Sequence, residues 1–82
     1  MNKTRFDIFL MRLKELMKEH NFNQVSLASQ TGLNRSSISN WFSRSQDVNI
    51  DHLARIAIFF NCSVDYLIGL EDEFGNKTYQ NQ

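Results

Sequence analysis

Three features of the 82-residue sequence predict an all-α fold of five short helices. Apolar residues recur at three- and four-residue spacing in successive segments. Ser, Thr and Asn stand where helix N-caps belong, and Gly32 and Gly69 stand where helices should stop. No stretch alternates as a strand would, and no repeat or low-complexity domain is visible.

Thr4 and Asp7 fit a capping box. They open a helix from about Arg5 to Glu19 or His20, whose stripe of Phe6, Leu10, Leu13, Met17 and His20 is widened by Phe9 and Leu16. His20, Asn21 and Phe22 interrupt the pattern. Asn23 then caps a second helix expected to turn Val25, Leu27 and Ala28 inward, and Gly32 ends it in a left-handed conformation. Asn34 is expected to cap the third helix, in which Ile38 and Trp41 share one face. Arg35, Ser36, Ser39 and Asn40 fall on the other face, within roughly 140° of arc at about 100° per residue.

Ser43 to Val48 reads as a polar loop, after which Asn49 caps a fourth helix with the richest apolar stripe: Ile50, Leu53, Ile56, Ala57 and Phe60. Ser63 starts a short fifth helix through Tyr66, Leu67 and Ile68 that stops at Gly69. Residues 1–70 are therefore expected to form one helical domain. Residues 71–82 form an acidic, then amide-rich tail expected to be flexible.

Hydrophobic residues make up 41% of the chain, enough for one core but not for a second domain beside it. Seven phenylalanines supply bulk that a small core needs, since Cys62 is the only cysteine and no internal disulfide can form. His20, His52 and Cys62 lack metal-ligand spacing, so no metal or other cofactor is expected. An early apolar signal and any run of roughly 18 apolar residues are lacking, which points to a cytoplasmic protein away from membranes.

The formal net charge is zero, which by itself speaks against a nucleic-acid partner. Its distribution is uneven. Residues 1–46 carry seven basic and three acidic side chains, a balance of +4, and the remainder balances at −4. One anion-facing end and one solvent-facing or partner-facing end would give this pattern, as would ordinary variation in surface charge.

The second and third helices with the turn at Gly32 match a helix-turn-helix. Ala28 is small where the helices cross closely. Gly32 permits the positive φ of the turn, and Ile38 plugs the angle between the helices. With these residues in place, the sequence resembles the phage Cro and repressor (XRE-type) family, over roughly Arg12 to Gly69. The likeness runs through RLKELM at Arg12–Met17, Asn23-Gln24, LASQTGLNRSSISNW at Leu27–Trp41, and the NIDHLARIA and SVDYLIG segments.

The resemblance implies a compact five-helix lambda-repressor-like DNA-binding domain whose third helix lies in the major groove of double-stranded DNA, and a homodimer on a near-palindromic operator. Carried over to this chain, the base-reading positions are Arg35, Ser36 and Asn40, with Ser39 a fourth. Arg35 suits guanine and Asn40 suits adenine. Gln24 falls on the phosphate-binding position at the start of the second helix. Asn23 either shares that duty or only caps, and Ser43 and Arg44 are placed to hold the backbone on the other side. With so few cations in position, binding should depend on salt less steeply than for a strongly basic protein. The family's dimer region maps onto Val64 and Tyr66, near the loop before the fourth helix, with Leu70 and Phe74 able to cover or extend it.

The chain also departs from that pattern. Many relatives join an arginine of the first helix to a glutamate after the tryptophan-like position. Met17 and Phe42 stand there instead and are expected to touch. Asn61 replaces a favoured glycine at a left-handed helix end, and Val48 replaces a proline, leaving its loop freer. Ile58 and Phe59 make the fourth helix apolar around its circumference, so either the core is larger or that helix has a partner.

The function these features predict is a transcriptional regulator, foremost a repressor. The alternative is an antitoxin or other protein-interaction module on the same scaffold. An enzyme is not expected. Asp51 and His52 lack a nucleophile, His52 reads as a surface residue, and Cys62 reads as a small buried hydrophobe.

Overall fold

The computed structural model describes residues 3–78. Among them are five helices in the order α1 (Arg5–Glu19), α2 (Gln24–Thr31), α3 (Arg35–Phe42), α4 (Ile50–Phe60) and α5 (Val64–Leu67), with one isolated antiparallel bridge between Glu71 and Lys77. No helix among these residues is long and apolar enough to cross a membrane.

Four helix starts follow the caps read from the sequence. Thr4 and Asp7 close a reciprocal capping box on α1, and Asn23 closes one on α2 with Ser26. Asn49 accepts from the His52 N–H, and Ser63 from the Tyr66 N–H. Asn34 differs. It occupies the N-cap of α3 in extended conformation, but its side chain makes no cap bond and instead accepts from the Ser36 hydroxyl at 3.2 Å. Gly32 (φ +76°) and Asn61 (φ +55°) end α2 and α4 in the left-handed conformation.

The core gathers around α1. Phe9, Leu13, Leu27, Ile38, Trp41, Ile56 and Leu67 are almost wholly buried, and the Phe9 ring meets Trp41 edge-on at 5.7 Å. Phe22, Phe59, Phe60 and His20 form a second aromatic group where the ends of α1 and α4 meet. The one buried polar side chain among the described residues, Thr31, donates to the Leu27 carbonyl and accepts from the Leu33 N–H, so it costs no unpaired group.

Several expected inward residues lie elsewhere. Val25 is exposed, because the face α2 buries is centred on Leu27, Ala28 and Thr31, and Val25 points well away from that arc. Ile50 is 83% exposed, standing in the first turn of α4 past the edge of the packed elements. His52, expected at the surface, is half-buried with its ring 5.6 Å from Trp41. Cys62 is half-buried rather than enclosed, and that partial burial raises its thiol pKa. The apolar excess of α4 adds nothing to the buried core: Ile58 is 81% exposed, and Phe59, 37% exposed, sets its ring beside those of Phe22 and Phe60.

The tail, expected to fray, folds back over residues 71–78. Asp72 accepts the N–H groups of Phe74 and Asn76 to form a turn. Lys77 reaches Asp65 and Glu71, and the Thr78 hydroxyl donates to the Gly69 carbonyl. Arg12 fastens this turn to α1 by donating to the carbonyls of both Tyr66 and Glu71 at 2.8 Å while stacking over the Tyr66 ring. A polar composition suggested solvent, but these side chains pair with one another. Residues 79–82 of the tail lie outside the described residues.

Two outcomes test this packing. In chemical denaturation, Ile56→Ala should cost about 2–5 kcal/mol and Ile58→Ala under about 0.5 kcal/mol; equal costs would contradict the orientation of α4. Asp7 is held below its ordinary value of 3.8 by the Thr4 N–H first, and then by the Arg44 guanidinium and the Thr4 hydroxyl. Its stabilisation is therefore complete above 3.8 and is lost as pH falls through the lowered value, so the Tm advantage of wild type over Asp7→Asn should shrink in that acid range.

Candidate nucleic-acid interface

Ala28, buried on α2, and Ile38, wholly buried on α3, belong to one core cluster, and the two helices pack against each other. The N–H of Gly32 closes α2 onto the Ala28 carbonyl at 2.9 Å, and the chain turns through Leu33, itself buried. From α4, Arg55 reaches the Thr31 carbonyl at 3.5 Å and places a cation at the C-terminal end of α2. The turn is thus fixed from inside by apolar packing and from outside by a guanidinium.

This geometry buries Ile38 and Trp41 and leaves the opposite side of α3 to solvent. Arg35, Ser36 and Ser39 are exposed there, while Asn40 is half-buried. No hydrogen bond or ion pair engages the Arg35 guanidinium among the described residues. The Asn40 amide donates to the Gln46 side chain at 3.1 Å, and the N–H groups of Ser45 and Gln46 both return to the Asn40 carbonyl. Gln46 therefore stands beside the exposed strip. It was not singled out from the sequence because it lies in the loop, and only the tight turn after α3 brings it back.

The flanking positions are less uniform. Gln24 is exposed at the first turn of α2. The Asn23 oxygen is taken up by the Ser26 N–H and hydroxyl, so this residue serves as the cap. Ser43 donates to the Asn40 carbonyl and pairs with Ser45. Arg44, at φ +62°, turns back to pair with Asp7 across the domain, its guanidinium 6.0 Å from the Phe6 ring. Its charge is thus shared with a carboxylate at the start of α1, a partner thirty-seven residues away that no local pattern reveals.

Met17 is buried and Phe42 half-buried, and both line one open hollow of about 570 Å³ beside the start of α2. Val64 and Tyr66 are half-buried on α5. Burial raises the Tyr66 phenol, and Arg12 covers its ring. Asp47 and Val48, from the loop before α4, share a further hollow with Ile68, so that loop and the end of α5 are neighbours.

A family model described as the Cro/C1-type HTH DNA-binding domain matches residues 12–73. The chain is also similar to YobD of Bacillus subtilis (strain 168), an uncharacterized HTH-type transcriptional regulator, with 32% identity over 66 residues. That match covers 80% of this chain and 59% of the Bacillus protein, so the chain spans less than two thirds of its relative. No solved structure matches it. The buried Ala28 and Ile38, the left-handed Gly32 between them and the match over residues 12–73 agree, and the chain belongs to the Cro/C1-type helix-turn-helix DNA-binding family.

Proposed function

We propose that this chain is a sequence-specific transcriptional regulator that acts in the cytoplasm, chiefly as a repressor occupying a near-palindromic operator. The observation that carries the reading is the two-sided character of α3, with Ile38 and Trp41 sealed in the core and Arg35, Ser36 and Ser39 presented to solvent. An eight-residue helix fits the major groove, and its side chains suit base edges: Arg35 for guanine, Asn40 for adenine, Ser36 and Ser39 less selectively. Gln24 holds a phosphate on one side of the groove, joined by the Asn23 amide NH2 that its capping oxygen leaves free, and Ser43 and Arg44 hold the backbone on the other. Arg44 does so by exchanging part of its contact with Asp7.

On DNA the protein works as a homodimer through Val64 and Tyr66, with the neighbouring loop before α4 at the edge of the contact. A second reading, a protein-interaction module such as an antitoxin, is favoured by one observation: Ile58 and Phe74 are each 81% exposed. Purification with a stoichiometric partner and no duplex selected would establish it instead.

Selection from random duplexes should enrich a palindrome with half-sites about 34 Å, one DNA turn, apart. Arg35→Ala should cost about 1–3 kcal/mol on that operator and relax preference at one base pair, measured by competition titration; equal weakening on random DNA would refute the assignment. Val64→Glu should leave half-site binding intact and abolish cooperative occupancy of the full site in footprinting.

A further inference from the structure

A protein of zero net charge that binds DNA must leave some cations available, and the structure accounts for most of them internally. Arg5 donates to the Ile68 carbonyl, and Arg12 to the carbonyls of Tyr66 and Glu71. Arg44 is paired with Asp7, Arg55 reaches the Thr31 carbonyl, and Lys77 holds Asp65 and Glu71. Lys3 leans on the Met11 sulfur. Lys14, Lys18 and Arg35 have no hydrogen-bonded or ionic partner among the described residues.

Lys14 and Lys18 stand one turn apart on α1, where like charges repel by a few tenths of a kcal/mol. Both line the hollow of about 570 Å³ that also takes in Asn23, Gln24 and Phe42. No carboxylate lines this hollow, although Lys18 also borders, with Arg12, the hollow between α1 and the tail that Glu15, Glu19, Asp72 and Glu73 line. The Lys14 ammonium lies 5.6 Å from the centre of the Phe42 ring, so the aromatic face steadies it without neutralising it. Lys14 also lines the adjoining hollow with Asp7, Glu15 and Arg44, where Asp7 is already paired with Arg44, and so stands between the start of α2 and the residue after α3.

We infer that Lys14 and Lys18 are DNA-backbone contacts: a phosphate seats in the acid-free hollow between α1 and the start of α2, held by the two ammonium groups, with Phe42 positioning Lys14. This inference rests on the DNA-binding reading above and adds to it cations that lie outside the helix-turn-helix.

The test is fluorescence anisotropy on the selected operator and on a random duplex, across a series of salt concentrations, for the full chain and its Lys14→Gln, Lys18→Gln, double and Lys14→Arg variants. Each Gln variant should lose about tenfold in affinity near about 0.1 M salt, equally on both duplexes, with the log–log salt slope reduced by about 0.9 per lysine. The ratio of operator to random affinity should be unchanged, and Lys14→Arg should bind as wild type does. Unaltered thermal unfolding would exclude a folding effect, as befits exposed side chains. Wild-type affinity and slope in the double variant, with Arg35→Ala still relaxing specificity, would overturn the lysine contacts and leave the DNA reading standing. Absence of any duplex binding by the wild type at low salt would overturn both.

Discussion

The edge-on contact of Phe9 with Trp41, at 5.7 Å in the centre of the core, is the interaction on which the presented surface depends. A helix of eight residues such as α3 has too few internal hydrogen bonds to persist alone in water. It must take its stability from its inner face, and that face consists of Ile38 and Trp41. Trp41 meets the second turn of α1 through Phe9 and the first turn of α4 through His52, so the longest helix and the most apolar one both hold it. The exposed strip on α3 is therefore as rigid as the core behind it, although the strip itself makes few contacts.

Electrostatics is arranged by the same economy. Asp65, Glu71, Asp72 and Glu73 lie on α5 and the folded tail, where Glu71 is held below its ordinary value by the Ser63 hydroxyl and then by Lys77. Asp72 is likewise lowered, mainly by the Asn76 N–H. Lys77 is raised in turn by Asp65 and Glu71. Asp65 and Glu71 share the single ammonium of Lys77, and Asp72 is held by backbone N–H groups, so this end keeps a net negative charge. The formal zero is thus a sum over unlike halves of the chain, +4 over residues 1–46 and −4 over the rest.

What was legible in the sequence was chiefly local. N-caps at Thr4, Asn23, Asn49 and Ser63 and left-handed ends at Gly32 and Asn61 depend on backbone within a few residues, and each formed as read. The Ala28, Gly32 and Ile38 spacing was legible for the same reason. Val25 was misread because it lies off the arc shared by Leu27, Ala28 and Thr31, and Ile50 because periodicity gives a helix face but not what lies over it. Ile50 is nearly in phase with buried Ala57, yet lies about 10 Å further along the axis, where nothing covers it. The pairing of Arg44 with Asp7, the tie from Arg12 to the tail, and Gln46 beside Asn40 are contacts of tertiary structure between exposed or half-buried polar groups, for which a single sequence carries no periodic signal.

Under the proposed DNA-reading role of α3, the bond between Asn40 and Gln46 bears on how bases are discriminated. An amide side chain free to rotate loses rotamer entropy when it docks on a base edge, but one already held by a neighbour has surrendered part of that freedom on folding. On the proposed reading, Asn40 and Gln46 then form a coupled pair: the neighbour sets the angle at which the amide meets the groove, and a base change at one position alters the fit at the next. Preferences at adjacent base pairs would be non-additive on this account, and an operator scored as a sum of independent positions would misrank its best sequences.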